Sequence, residues 1–255
     1  MTGKKLSVLS NGKAPAEEVA KRIRDRWGDN PLADCDVVVA IGGDGFMLEL
    51  LRRHHGLNKP FYGVNCGTVG FLMNPHDVDD LGERIADAEA VNIHPLIMRA
   101  ERADGSIKEA RAINEVSLFR QTRQSAKIRI SVNGMVRMET LVCDGVLLAT
   151  PAGSTAYNLS AHGPIIPLGG GLMALTPISA FRPRRWRGAL LSDHSKVVLD
   201  VLEHNFRPVS ASADSVEIRH VNRVTVEQAS EITLNLLYDP GFSLSDRATQ
   251  EQFQS

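Results

Sequence analysis

The first third of the chain alternates short β-branched runs with stretches whose apolar residues return every four positions. Leu6 to Ser10 is a short apolar strand segment, and Pro15, Glu17 and Glu18 then open a helix with Val19, Ile23 and Trp27 on one face. Val37 to Ile41 reads as a buried strand, Phe46 to Leu51 as a helix, Phe61 to Val64 as a second buried strand and Asp77 to Ala88 as a further helix. This rhythm predicts a Rossmann-like parallel α/β domain over residues 1–92, with ligands beyond the carboxyl ends of its strands.

From about residue 93 the punctuation changes. Asp104-Gly105 and Asn133-Gly134 separate Ile-, Val- and Arg-rich segments in the manner of tight hairpins. Val142 to Thr150, Lys196 to Leu202, Val216 to His220 and Val224 to Glu227 are further strand candidates. They predict a mainly β, sandwich-like domain over residues 93–237. The polar stretch Ser243 to Phe253 reads as a helix, so that 238–255 packs back on the first domain.

Composition narrows the class. Of 255 residues, 43% are hydrophobic and 23% charged, the profile of an ordinary globular protein rather than a disordered one. Twenty-nine basic against 30 acidic residues leave no overall positive charge of the kind that drives binding to nucleic acid or anionic membranes, and neither is expected as a partner. No window has the apolar length of a membrane span and the first residues do not resemble a secretion signal, which predicts a cytoplasmic protein. Cys35, Cys66 and Cys143 are odd in number and widely spaced, which suits free thiols better than a zinc site. Asn158-Leu159-Ser160 matches a glycosylation acceptor only by chance on that view.

The chemistry concentrates at glycine turns. Gly42-Gly43-Asp44-Gly45 follows the Val37 strand, so that backbone approaches a phosphate while one carboxylate stands at the strand end; an aspartate there serves equally to cap the helix it opens. A second turn, Asn65-Cys66-Gly67-Thr68-Val69-Gly70-Phe71, brings more N–H groups to the same rim. The β part offers Asn114-Glu115, Asp144 before Gly145, and Thr150-Pro151-Ala152-Gly153-Ser154-Thr155-Ala156-Tyr157-Asn158-Leu159-Ser160-Ala161. That last run, dense in hydroxyls and small residues with one ring, suits a surface gripping a sugar and a flat base. Asn114-Glu115 is equally compatible with a solvated strand edge, and Asp144 with a simple turn.

Taken in order, these motifs, with Gly63-Val64-Asn65, Gly70-Phe71-Leu72 and Thr176-Pro177-Ile178, resemble the ATP-dependent NAD kinases of prokaryotic type over most of the chain. Lipid kinases and phosphofructokinases share only the glycine-aspartate turn. The resemblance implies transfer of the γ-phosphate of ATP to the 2′-hydroxyl of the adenosine ribose of NAD, giving NADP, with Asp44 as general base. It implies NAD contacts from Asp44, Gly45, Phe71, Asn114, Glu115, Asp144, Ser154, Thr155, Ala156, Tyr157 and Ser160. Gly42, Gly43, Gly45 and Gly67 would meet phosphates, and Mg²⁺ would come with the ATP oxygens rather than on assigned protein ligands. A homodimer or homotetramer is implied as well. Inorganic polyphosphate presents the same terminal phosphate as ATP, and no residue that reads the donor base is evident.

Two positions depart from the family pattern: Phe46 stands where a small polar residue is common, and His162 where glycine is usual. No Gly-x-x-x-x-Gly-Lys-Ser/Thr loop is present, so ATP is held by another arrangement. Arg182-Pro183-Arg184-Arg185-Trp186-Arg187 is the densest positive stretch; arginine with an aromatic ring suits stacking on or clamping a nucleotide phosphate, but the reading preferred is a solvated loop or a subunit contact. His54, His55, His194 and His220 are read as structural.

Overall fold

The computed structural model describes residues 3–67 and 70–253. Thr68 and Val69 of the second glycine turn lie outside the described residues. The chain begins β1 (Leu6–Ser10), α1 (Ala14–Trp27), β2 (Val37–Gly42), α2 (Asp44–Arg53), β3 (Phe61–Asn65), α3 (Leu81–Asp87) and β4 (Glu89–Ile93). Twelve strands follow: β5 (Leu96–Arg102), β6 (Ile107–Ala112), β7 (Glu115–Arg120), β8 (Ala126–Val132), β9 (Met135–Cys143), β10 (Gly145–Ala149), β11 (Leu172–Ile178), β12 (Ala189–Ser192), β13 (Val197–Val201), β14 (Val209–Ala213), β15 (Val216–Ile218) and β16 (Val221–Gln228). Between β10 and β11 lie a 3-10 turn (Ala152–Thr155) and the short α4 (Tyr157–Ser160), and the chain closes with β17 (Leu234–Tyr238) and α5 (Leu244–Phe253).

The chain forms two compact units, Met1–Ile93 with Ile232–Ser255, and His94–Glu231. In the first, a five-stranded sheet runs β1-β2-β3-β17-β4, parallel except for β4, which pairs antiparallel with β17. β2 is buried along its whole length, as its Val37-Val38-Val39-Ala40-Ile41 sequence requires of a strand covered on both faces. Helix α1 starts with Pro15 in its first turn and ends at Gly28, whose φ of 82° supplies the left-handed turn. Its Ala16, Val19, Ala20 and Ile23 pack with Leu6, Val8, Val37 and Val39.

The second unit holds two six-stranded antiparallel sheets, β12-β11-β10-β7-β14-β15 and β6-β5-β16-β13-β8-β9. Their facing residues form one core, with Leu118, Val146, Leu148 and Leu175 from one sheet and Ile128, Ile130, Leu199 and Val224 from the other. At the β8–β9 hairpin Asn133 and Gly134 take φ of 52° and 78°, the paired positive angles of a tight turn.

The structure corrects four expectations of the sequence. Residues 234–237, assigned to the β domain, belong with Tyr238 to β17 of the first sheet, so the return to the first unit starts at Ile232 rather than 238. The predicted strand 142–150 is two strands parted at Asp144, which lies between β9 and β10. The helix predicted from Asp77 starts only at Leu81, because Asp77 Oδ1 accepts the Asp79 N–H at 3.0 Å and turns the chain locally instead. The run after Thr150, read as a surface, is wound into the 3-10 turn and α4 with Ser154 and Asn158 wholly buried.

Candidate active site

Each unit supplies a separate set of residues. In the first, β2 delivers the chain to Gly43, the N-cap of α2, and Asp44 is the first residue of that helix. Asp44 does not cap it. Its carboxylate turns to the 70–72 segment, where Oδ2 accepts the Phe71 N–H at 2.7 Å and Oδ1 the Leu72 N–H at 2.9 Å. Two amide donors fix the direction of the group and leave lone pairs for a further partner. Gly70 makes that approach possible, since a Cβ there would lie 2.7 Å from Asp44 Oδ1. By contrast Gly43 and Gly45 face open space, where a methyl group would touch nothing. Gly42 is packed under Asn11 and Phe46, and its carbonyl accepts the Cys66 N–H at 2.7 Å. Gly67 donates its N–H to Asn65 Oδ1 at 3.0 Å.

Residues the sequence did not point to brace the segment that holds Asp44. Tyr238 donates its hydroxyl to the Phe71 carbonyl at 3.4 Å, and Arg247 Nη2 donates to the Met73 carbonyl at 2.5 Å. The buried Asn74 accepts the Asp239 N–H and donates to the Leu237 carbonyl, both at 2.9 Å, tying the segment to β17. Asp239 in turn accepts the Tyr62 hydroxyl at 2.6 Å and pairs with Arg84. Burial and the Asp239 carboxylate push the Tyr62 phenol well above its ordinary range. Burial pulls the Arg247 guanidinium down, against the opposing pull of Tyr238 and Asp44. A cavity of about 600 Å³ opens beside this segment, lined by Asn65, Gly70, Phe71, Asn74 and Arg247 among others.

In the second unit, Asn114 stands just before β7 and Glu115 opens it. Gly153 packs directly on Asn114, for a Cβ at 153 would come 2.1 Å from the Asn114 carbonyl oxygen. Burial, and next the Asp214 carboxylate, raise the Glu115 carboxyl to about 7. Its Oε2 is buried without a hydrogen-bond partner among the described residues. The Tyr157 phenol is raised by burial, then by Glu115 and Asp144, so these three groups share one electrostatic neighbourhood.

The hydroxyl-rich run divides by direction. Tyr157 and Ser160 are exposed, Ala156 is half-buried and Thr155 buried. Ser154 faces inward: its hydroxyl donates to the Pro151 carbonyl at 2.7 Å and accepts the Ile166 N–H at 3.0 Å. Asn158, unassigned from sequence, bonds Ser154 and Pro164 carbonyls and the Thr176 hydroxyl, which fixes the run in place. Asp144 Oδ1 is paired with Arg120 at 2.5 Å. In the arginine stretch, Arg182 and Arg184 lie over the Phe181 ring while Trp186 packs against the core.

The architecture is that of the nicotinamide-nucleotide kinases. Yeast NADH kinase solved with NADH superimposes with a TM-score of 0.79 at 20% identity, over 99% of this chain and 88% of that one. An NAD kinase from Archaeoglobus fulgidus solved with ATP gives 0.77, also at 20% identity, over 96% and 99%. Sequence carries the relation further than fold. The ATP-NAD kinase N-terminal domain matches residues 5–90 and the C-terminal domain residues 113–235. NAD kinases of Hyphomonas neptunium and Caulobacter vibrioides are each 53% identical, over 99% of both chains in the first case and over 98% of this chain and 96% of the relative in the second. The chain belongs to the NAD kinase family.

Proposed function

We propose that the chain, as an NAD kinase, moves the γ-phosphate of ATP onto the 2′-hydroxyl of the adenosine ribose of NAD, with Asp44 taking the hydroxyl proton. The observation that carries this is the Asp44 carboxylate, placed at the end of a buried parallel strand and clamped by the Phe71 and Leu72 N–H groups instead of capping its own helix. Phosphoryl transfer has a loose transition state, so a fixed carboxylate that orients the nucleophile supplies what the chemistry needs. The first N–H groups of α2, at Asp44 and Gly45, are free of helical bonds and suit phosphate oxygens, with Gly42, Gly43 and Gly67 shaping the turns around them.

Asn114 and Glu115 would hold ribose hydroxyls, since an ionised carboxylate accepts from a vicinal diol. Phe71, Thr155, Ala156, Tyr157 and Ser160 would contact the nucleotide directly. Asp144 would contribute through the oxygen not bonded to Arg120, and Ser154 by holding the 3-10 turn in shape.

No group of three His, Cys, Asp or Glu able to hold a metal occurs among the described residues. Mg²⁺ would come with the ATP phosphate oxygens, and Asp44, at the first turn of α2, is a carboxylate that could approach it. When bound, the ion neutralises charge on the transferring phosphoryl group. Among the described residues no helix is long and apolar enough to cross a membrane. The three free thiols suit the reducing cytoplasm, which belongs with this proposal, as does a homo-oligomeric state.

Replacing Asp44 by Asn is expected to cut NADP formation from ATP and NAD by at least ~100-fold while NAD binding stays within about tenfold. A coupled assay with an NADP-specific dehydrogenase reads the product. Near-normal turnover in that variant removes Asp44 from the mechanism. NAD binding by the wild type without any turnover would instead favour a non-catalytic nucleotide-binding module, and a lipid or sugar acceptor preferred over NAD would favour a related kinase.

A further inference from the structure

We propose that Asp214 is the positioning residue of the acceptor-ribose grip, its carboxylate gathering the backbone of Ile113, Asn114 and Glu115 and placing a negative charge beside the Glu115 side chain. The inference rests on the reading of Asn114 and Glu115 as ribose ligands and deepens it.

The geometry is a clamp on both sides of one peptide turn. Asp214 Oδ2 accepts the Ile113 N–H at 2.7 Å, while Oδ1 accepts those of Asn114 at 3.0 Å and Glu115 at 3.3 Å. The Asp214 N–H donates back to the Glu115 carbonyl at 3.2 Å. From the other side, Thr150 donates its hydroxyl to the Ile113 carbonyl at 2.7 Å and its N–H to the Asn114 carbonyl at 2.9 Å. The same hydroxyl accepts the Gly153 N–H at 3.0 Å, which explains why Gly153 sits against Asn114. All six backbone polar groups of a three-residue segment are thereby committed to Asp214 and Thr150, and the Asn114 and Glu115 side chains are left to project from a fixed base.

The charge matters as much as the hydrogen bonds. Two carboxyl groups in one neighbourhood do not ionise independently, and burial followed by Asp214 raises Glu115 to about 7. The groups acting with it are Asp214, in the β14–β15 turn, and the Tyr157 phenol of α4. Because the ionised form of Glu115 accepts from the ribose hydroxyls, acceptor binding strengthens as pH rises through neutrality. Asp214 has a φ of 48°, a left-handed conformation that asparagine tolerates, so Asp214→Asn removes charge and an acceptor without straining the backbone.

The test measures KM for NAD, kcat, and direct NAD binding by calorimetry between pH 5.5 and 8.5, for the wild type, Asp214→Asn and Glu115→Gln. In the wild type NAD affinity should tighten about tenfold from pH 6 to pH 8, the change in the ionised fraction of a carboxyl titrating at about 7, and Glu115→Gln should abolish that response. In Asp214→Asn, KM at pH 8 should rise about tenfold with kcat within about threefold, and the acidic limb should move to lower pH. A loss that is uniform across pH, or a fall in kcat at unchanged KM, overturns the proposal. Should Asp214→Asn not fold, the other two proteins decide: a flat wild-type binding profile overturns it. If NAD binds with the expected pH response but no NADP forms, the catalytic reading fails and this one stands.

Discussion

A single methyl group at Gly70 should disable Asp44 without unfolding the protein. A Cβ at position 70 would sit 2.7 Å from Asp44 Oδ1, whereas ordinary contact begins at 3.4 Å, so the carboxylate or the 70–72 segment must yield by about 0.7 Å. The segment has little freedom, being tied through Tyr238, Arg247 and Asn74. The carboxylate therefore moves, and its bonds to the Phe71 and Leu72 N–H groups lengthen from 2.7 and 2.9 Å toward loss. Misplacement of a reacting group by roughly 1 Å costs about 100-fold, so a shift of this size in Gly70→Ala should lower kcat by about 10- to 100-fold, or ~1.4–2.7 kcal/mol in the barrier. KM for NAD should stay within about threefold, because the residues proposed to grip the acceptor lie mostly in the other unit. Initial rates in the coupled NADP assay, with a thermal melt run in parallel, give both quantities. A kcat within twofold of wild type at an unchanged melting temperature would show that the position of Asp44 is not what limits turnover.

Two further substitutions probe the scaffold. Asn74→Ala orphans the Leu237 carbonyl and the Asp239 N–H in the interior, and urea unfolding should show a loss of ~2–4 kcal/mol; a loss below ~0.5 kcal/mol would mean the tie to β17 contributes little. Glu115→Gln should stabilise the fold at pH 8 by at most ~3 kcal/mol, and by progressively less toward pH 5. The sign follows from a folded-state value of about 7, raised above that of the unfolded chain: the stability of the protonated form is complete below the unfolded value and disappears as pH rises to 7. Equal effects at pH 5 and pH 8 in the same unfolding measurement would contradict it.

The glycine-aspartate turn was legible because everything that makes it lies within nine consecutive residues, a buried strand followed by small residues that no core needs. The supports of the site were not legible for the opposite reason. Asp214 meets Asn114 across 100 residues of sequence, and Asn74 meets Asp239 across 165, separations at which local periodicity carries no information. A run of hydroxyls reads the same whether it faces a ligand or the interior, which is why Ser154 could be placed in the surface but not turned inward, and why Asn158 was given no structural role. β17 was not read as a strand, and its apolar residues Leu234, Leu236 and Leu237 say nothing by themselves about which sheet they join.

That strand has a consequence for the order in which the molecule is made. It fills the place between β3 and β4, and through its own Tyr238, with Arg247 of α5, it supplies ties on the segment that aims Asp44. The middle unit, continuous from His94 to Glu231, is encoded in one stretch, whereas the amino-terminal sheet keeps a gap until residues 234–238 have been made. A released chain that ends before residue 232 would thus retain the segment proposed to grip the ribose while the proposed base lacks its ties, and nucleotide binding and phosphoryl transfer would part company.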